Sequence, residues 1–224
     1  MTAYFVTGTD TGIGKTLVSC ALLYAYRAQG RKVIGMKPVA AGAENGEWMD
    51  VELLAAASNV TAARAQRNPY AFGPAVAPHI AAVRADVELD IRIIDRSCRR
   101  LRQKADVVIV EGAGGFLVPL TESQDTADMA QMLGLPVILV VGMRLGCINH
   151  ALLTARAIRA AALPLAGWVA NCIDPAMRAF EENVASLMQR LGAPLVGVLP
   201  HVAGADARKM APLLDIAKLE TGGA

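Results

Sequence analysis

The chain has 224 residues, 54% of them hydrophobic and 19% charged, with a formal net charge of +2. That length suits a single α/β domain over 1–224 with a large core, and the near-neutral balance gives no footprint for nucleic acid or a membrane surface. Apolar runs such as 137–141 are too short to cross a bilayer, the N-terminus has no positive stretch before its first apolar run, and Cys20, Cys98, Cys147 and Cys172 lack metal-type spacing, so they read as reduced thiols of a cytoplasmic protein.

The first expected strand, 3–7, runs into Thr7-Gly8-Thr9-Asp10-Thr11-Gly12-Ile13-Gly14-Lys15-Thr16, and an apolar-periodic helix follows over 15–28. Strand, Gly-rich loop, Gly-Lys-Thr and helix is the context of a phosphate-binding P-loop. Its backbone N–H groups and the helix N-terminus face phosphate oxygens, Lys15 reaches the outer phosphates, and the Thr16 hydroxyl meets a magnesium ion. Thr9 stands where the usual pattern has its first Gly, and Gly8 lies one position earlier.

The second strand, 32–37, ends at Lys37-Pro38-Val39-Ala40-Ala41-Gly42. A lysine at that end can neutralise charge on a transferred phosphoryl group, or be a surface lysine before a turn-forming proline. Asp50 opens a helix over 50–57, and its position alone favours an N-cap over a carboxylate turned to a metal. Segment 58–89, with Pro69, Gly73, Pro74 and Pro78, reads as an irregular connection with room for one short helix.

After a helix over 90–104, whose Arg96, Arg99, Arg100, Arg102 and Lys104 read as a solvated face, the strand 106–110 leads into Glu111-Gly112-Ala113-Gly114-Gly115. An acidic residue at the tip of a buried strand in a P-loop protein commonly serves the magnesium site, directly or through water, the alternative being a solvated Glu in an ordinary strand-to-loop turn; the glycines allow backbone to approach a ligand or a turn of positive φ. A helix over 125–133 precedes the strand 137–141, and a turn then starts a helix over 147–162 near Cys147, which is either a simple strand-to-helix connection or a helix start whose free N–H groups hold a carboxylate or phosphate. Strands at 166–170 and 195–199 and helices at 176–191 and 206–218 complete the chain. Non-alternating apolar strands separated by helices predict a doubly wound, mainly parallel sheet of the P-loop NTPase type, with helices on both faces and ligands beyond the carboxyl ends of the strands.

Four ordered motifs resemble the dethiobiotin synthetase family: Gly-Thr-Asp-Thr-x-x-Gly-Lys-Thr at 8–16, Lys-Pro-Val-Ala-x-Gly at 37–42, Val-Glu-Gly-Ala-Gly-Gly at 110–115 and Leu-Gly-Cys-Ile-Asn-His at 145–150, with Leu-Ala-Gly-Trp-Val-Ala-Asn at 165–171 close behind. The resemblance implies MgATP-dependent capture of CO2 on a diamine, 7,8-diaminononanoate, and closure of a cyclic urea through a carbamate and a carbamic–phosphoric anhydride. It assigns catalysis to Lys37, Lys15 and Thr11, and magnesium to Thr16, Asp50 and Glu111, against the N-cap reading of Asp50. Nucleotide and substrate contacts fall on Gly12, Ile13, Gly14, Lys15, Thr16 and Leu17 and on Glu111, Gly112, Ala113 and Gly114. The adenine pocket falls on Asn171, Cys172, Pro200, His201 and Val202. Substrate contacts fall on Lys37 and Ala41, and the substrate carboxylate on Gly146, Cys147, Ile148 and Asn149 of a second subunit, giving a homodimer with the site across its interface. Ala41 and Cys172 depart from members that carry Ser and Asp there. The alternative is a P-loop switch ATPase of the partition type, which carries an extra Lys early in the loop; Thr7 to Thr11 contain none.

Overall fold

The computed structural model describes residues 1–220. In chain order the elements are β1 (Thr2–Gly8), α1 (Lys15–Ala28), β2 (Val33–Met36), β3 (Val39–Ala41), α2 (Met49–Ala57), α3 (Arg64–Arg67), β4 (Tyr70–Phe72), α4 (Pro78–Arg84), α5 (Ile91–Arg102), β5 (Val107–Glu111), α6 (Thr126–Leu133), β6 (Val137–Met143), α7 (Cys147–Ala160), β7 (Leu165–Cys172), α8 (Phe180–Arg190), β8 (Leu195–Leu199), α9 (Ala207–Met210), a 3-10 turn (Ala211–Leu213) and α10 (Ala217–Glu220).

Six strands form one sheet in the order β2-β5-β1-β6-β7-β8, and every pairing is parallel. Val107 to Glu111 and Val137 to Met143 are buried throughout, as expected for strands covered on both faces. Alternate side chains sort into two layers. Phe5, Ile34, Val108 and Val110 meet α5 and α6 through Ile94, Leu101, Met129 and Leu133, and the same layer continues through Leu139, Val141 and Trp168 to Ala151 and Leu187. Tyr4, Val6, Ile109, Ile138 and Val169 meet α1 and α2 through Val18, Leu22 and Leu54. The order of connections reverses around β1, which opens a crevice beyond the carboxyl ends of β1 and β5, the place where open α/β sheets bind ligands. No helix among the described residues is long and apolar enough to cross a membrane.

The structure departs from the sequence expectations in four places. Segment 58–89 holds α3, β4 and α4, and β4 pairs with an unexpected β3 in a parallel two-stranded ribbon, Val39 opposite Tyr70 and Ala41 opposite Phe72. Its basis is the alternation of buried Tyr70 and Phe72 about exposed Ala71, too short a period-2 signal to stand out. The expected helix 206–218 is broken after Met210, where Pro212 cannot continue the backbone ladder and Leu214 instead bridges Gly197 of β8. The helix expected over 176–191 starts at Phe180, behind Ala179 in a left-handed conformation. Trp48, not Asp50, is the N-cap of α2.

Candidate active site

The loop between β1 and α1 is shaped by contacts from distant strands. Gly12 and Gly14 take positive φ values of 72° and 87°, which a side chain would disfavour. A Cβ on Gly14 would also lie 2.2 Å from Asn171 Nδ2, the amide that donates to the Ile13 carbonyl at 2.8 Å. Thr9 explains the displaced glycine: its N–H donates to the Val140 carbonyl at 3.0 Å, and its hydroxyl accepts from the Gly142 N–H at 3.3 Å. Asp10 accepts from the Thr11 N–H at 2.7 Å and pairs with Arg144 at 2.7 Å, fastening the loop to the turn after β6. Lys15 donates to the Asp10 carbonyl at 2.7 Å. Helix α1 starts with neither a side-chain cap nor an acidic residue in its first turn, so its N-terminal N–H groups and dipole are free for an anion.

Beside this loop, β2, α2 and β5 bring three charged side chains together. Lys37 Nζ lies 2.7 Å from Glu111 Oε1, 2.9 Å from Asp50 Oδ2 and 3.2 Å from the Gly112 carbonyl. Thr16 donates its hydroxyl to the same Glu111 Oε1 at 2.8 Å. Glu111 is wholly buried, and its Oε2 has no hydrogen-bond partner. Burial pulls the Lys37 ammonium down, but the Glu111 and Asp50 carboxylates outweigh it and hold the group above its ordinary range. Lys15 moves the other way: burial first, then the nearby positive Lys37, lower it to about 8. The Asp50 side chain therefore turns inward, against the N-cap reading. The start of α2 is fixed from behind by Trp48, whose indole N–H donates to the Phe72 carbonyl of β4 at 2.8 Å, with Arg64 stacked 5.2 Å over the ring and paired to Glu52 at 2.9 Å.

These groups line one cavity of about 890 Å³. Asp10, Thr11, Gly12, Gly14, Lys15, Thr16, Lys37, Asp50, Glu111, Ala113 and Gly114 form its polar part, and Val39, Ala41, Val76 and Val118 an apolar wall. Ala75 to Ala77, ahead of α4, and Pro78 at its start also line it, a contribution no sequence motif announces. Ile13 is buried under the loop, Leu17 is half-buried on α1, and Gly112 is buried at the Lys37 contact.

The other expected contacts stand apart from this cavity. Asn171, at the end of β7, is committed to the loop backbone; Cys172 faces the Asp174 carbonyl at 3.6 Å; Pro200, His201 and Val202 are exposed after β8. Gly146, at φ 93°, is the N-cap of α7, Cys147 is buried, Ile148 is half-buried and Asn149 exposed, with Leu145 beside them 95% exposed.

The oxygens of Thr16, Asp50 and Glu111 are the hard donors a magnesium ion takes, and the buried Glu111 Oε2 has no hydrogen-bond partner within the protein. Among the described residues no group of three His, Cys, Asp or Glu side chains could hold a metal. A hydroxyl, two carboxylates and substrate phosphates suit an ion that is shared with a nucleotide and not caged by protein.

A family model described as an AAA domain matches residues 2–209. The ATP-dependent dethiobiotin synthetase BioD of Nitrosospira multiformis is 63% identical over 216 residues, 96% of each chain. The protein of the same name from Aromatoleum aromaticum is 58% identical over 95% of this chain and 96% of its own. Among solved structures, the MinC:MinD cell division protein complex of Aquifex aeolicus shares the fold, with a TM-score of 0.60 at 14% identity over 98% of this chain and 95% of that one.

Proposed function

Because the chain belongs to the ATP-dependent dethiobiotin synthetase family, an AAA-domain family of carbon–nitrogen ligases, we propose that it closes the urea ring of dethiobiotin on 7,8-diaminononanoate with CO2 and MgATP, releasing ADP and phosphate. The observation that carries this reading is a second buried lysine, Lys37, in the cavity that holds the P-loop Lys15. A loop that only binds nucleotide has no need of it; a carbamate beside a γ-phosphoryl group does.

One substrate amine adds to CO2, losing a proton, and gives a carbamate. A carbamate oxygen attacks the γ-phosphorus and ADP leaves. The second amine attacks the carbonyl of the resulting anhydride and expels phosphate, losing one of its two protons and keeping the other on the ring nitrogen. No cysteine, serine or histidine lines the cavity, which fits a reaction whose nucleophiles all come from the substrate. The chain supplies position and charge. The α1 N–H groups and Lys15 hold the phosphates, with Thr11 at the exposed edge of the loop. Lys37 neutralises charge gathering between carbamate and phosphoryl oxygens. Thr16, Asp50 and Glu111 hold the magnesium ion, which when bound offsets charge on the phosphates. Val39, Ala41 and Val76 shield the methylene chain of the diamine. Ala41 offers no hydroxyl to the carbamate.

The whole chain acts as one P-loop α/β domain in a homodimer of the cytoplasm, without nucleic acid or membrane partners. The exposed Leu145 beside the α7 turn supports an interface there, with Gly146, Cys147, Ile148 and Asn149 of a second copy receiving the substrate carboxylate. Asn171, Cys172, Pro200, His201 and Val202 form the adenine side. The likeness to the MinD complex is one of fold, and the absence of an early loop lysine speaks against a partition-type switch.

The test is phosphate release from MgATP with bicarbonate and diaminononanoate. Turnover that depends on the diamine is expected; ATP hydrolysis indifferent to it would sink the proposal.

A further inference from the structure

Two carboxylates that face one another in a buried site repel unless a cation lies between them. Here that cation is part of the chain. Lys37 Nζ contacts Glu111 Oε1, Asp50 Oδ2 and the Gly112 carbonyl, which engages all three of its donors. The Thr16 hydroxyl is turned onto the same Glu111 oxygen. Every group expected to ligate the metal is therefore joined, directly or through Glu111, to a tethered positive charge. Lys37 cannot hold these carboxylates and give the same three donors to carbamate and phosphoryl oxygens.

We propose that Lys37 is a resident placeholder for the metal: it holds Glu111 and Asp50 together before magnesium arrives, and metal entry displaces it from them toward the substrate. The proposal rests on the reading of this site as magnesium-dependent. It gives Lys37 a positioning role besides its charge, and it orders the cycle, because the lysine is released to the reacting groups only once the ion is in place. The cavity allows the exchange. Glu111 Oε2 is buried without a hydrogen-bond partner, so an ion that takes it breaks no protein hydrogen bond there. Asp50 is 26% exposed, so its end of the bridge opens to the cavity and solvent.

The placeholder competes with metal, so its removal tightens binding even though activity is lost. Mn2+ is the probe, titrated by electron paramagnetic resonance without nucleotide and then with ADP. Lys37→Met and Lys37→Gln are expected to bind Mn2+ at least ten-fold more tightly than the parent when nucleotide is absent. In the parent labelled with 15N-lysine, a slowly exchanging Nζ–H signal, assigned by its loss in Lys37→Gln, is expected to disappear at saturating Mg2+. Equal or weaker Mn2+ binding by the folded variants overturns the proposal, as does an Nζ–H signal that survives saturation. Should the variants not fold, the parent's signal, assigned instead by side-chain-to-backbone correlation in 13C,15N-labelled protein, decides alone. Failure of the parent to bind Mn2+ even with ADP overturns the magnesium reading itself, a result distinct from metal that binds without moving Lys37.

Discussion

Lys37 Nζ and Glu111 Oε1 lie 2.7 Å apart at the carboxyl ends of adjacent strands, and both side chains are buried. Breaking such a pair leaves a charge without compensation, which costs about 3 kcal/mol or more, whereas replacing both members with neutral groups is close to neutral. Lys37→Met is therefore expected to lower unfolding stability by about 3 kcal/mol, and adding Glu111→Gln to recover most of that. Urea denaturation of both singles and the double provides the cycle. Purely additive losses would show that the two charges do not depend on each other. None of the three variants is expected to turn over ATP.

Lys15 sets the alkaline limit of nucleotide capture. Its charge is fully present below the lowered value of about 8 and is lost in the free protein as pH rises through it. The kcat/KM for MgATP is expected to fall above about pH 8 with a one-proton slope, and Lys15→Arg to remove that limb, because guanidinium stays charged. The same shift has a sign for folding: the charged amine is penalised in the native state below about pH 8, and that penalty is relieved as pH rises toward the ordinary lysine value. A flat kcat/KM profile up to pH 10 would exclude Lys15 as the group that titrates.

Much of this arrangement is legible in the sequence because it follows periodicity and punctuation. Unbroken apolar runs at 107–110 and 137–141 announce a sheet covered on both faces, and Gly-Lys-Thr between strand and helix announces the phosphate loop. Less legible is whatever depends on residues far apart in the chain. Asp50 looks like a cap until β2 and β5 place Lys37 and Glu111 beside it. Arg144 carries no signal until the sheet order sets the turn after β6 against the loop after β1. The ribbon of β3 and β4 is three residues on each side, too short for its alternation to stand out from a connection rich in proline.

Thr9 is expected to tolerate Ser but not Val. Thr9→Val removes the acceptor of the Gly142 N–H, a loss of about 1 kcal/mol in stability. It also frees one side of the loop, so KM for MgATP is expected to rise several-fold. Paired thermal melts and kinetics of the two variants check this; equal behaviour of Ser and Val would remove the hydroxyl from the account.

Arg144 and Asp10 are each nearly half exposed, so their pair adds at most about 0.5 kcal/mol to folding. Arg144→Ala is expected to leave the melting temperature almost unchanged while raising KM for MgATP. A large drop in melting temperature would show that the pair is structural.

Trp48 supports Asp50 from behind the site. Trp48→Phe keeps the ring under Arg64 but loses the donor to Phe72, and the Gly42 N–H remains on that carbonyl at 3.2 Å. A loss of about 1 kcal/mol in holding α2 converts to roughly a five-fold rise in the magnesium concentration that half-activates turnover, with kcat largely kept. Magnesium titrations of parent and variant measure it, and an unchanged half-activation point would free Asp50 from this support.

The fastening of the phosphate loop by distant residues has a consequence for how the chain acquires its shape. Gly142 is 133 residues from Thr9, and Asn171 is 158 residues from Ile13. A nascent chain that carries the complete ten-residue loop has none of these restraints until β6 and β7 have been synthesised and laid beside β1. Contacts of such separation form late, after the loop-closure entropy has been met. The loop therefore gains its full set of restraints only when two strands that follow it by more than a hundred residues are in place.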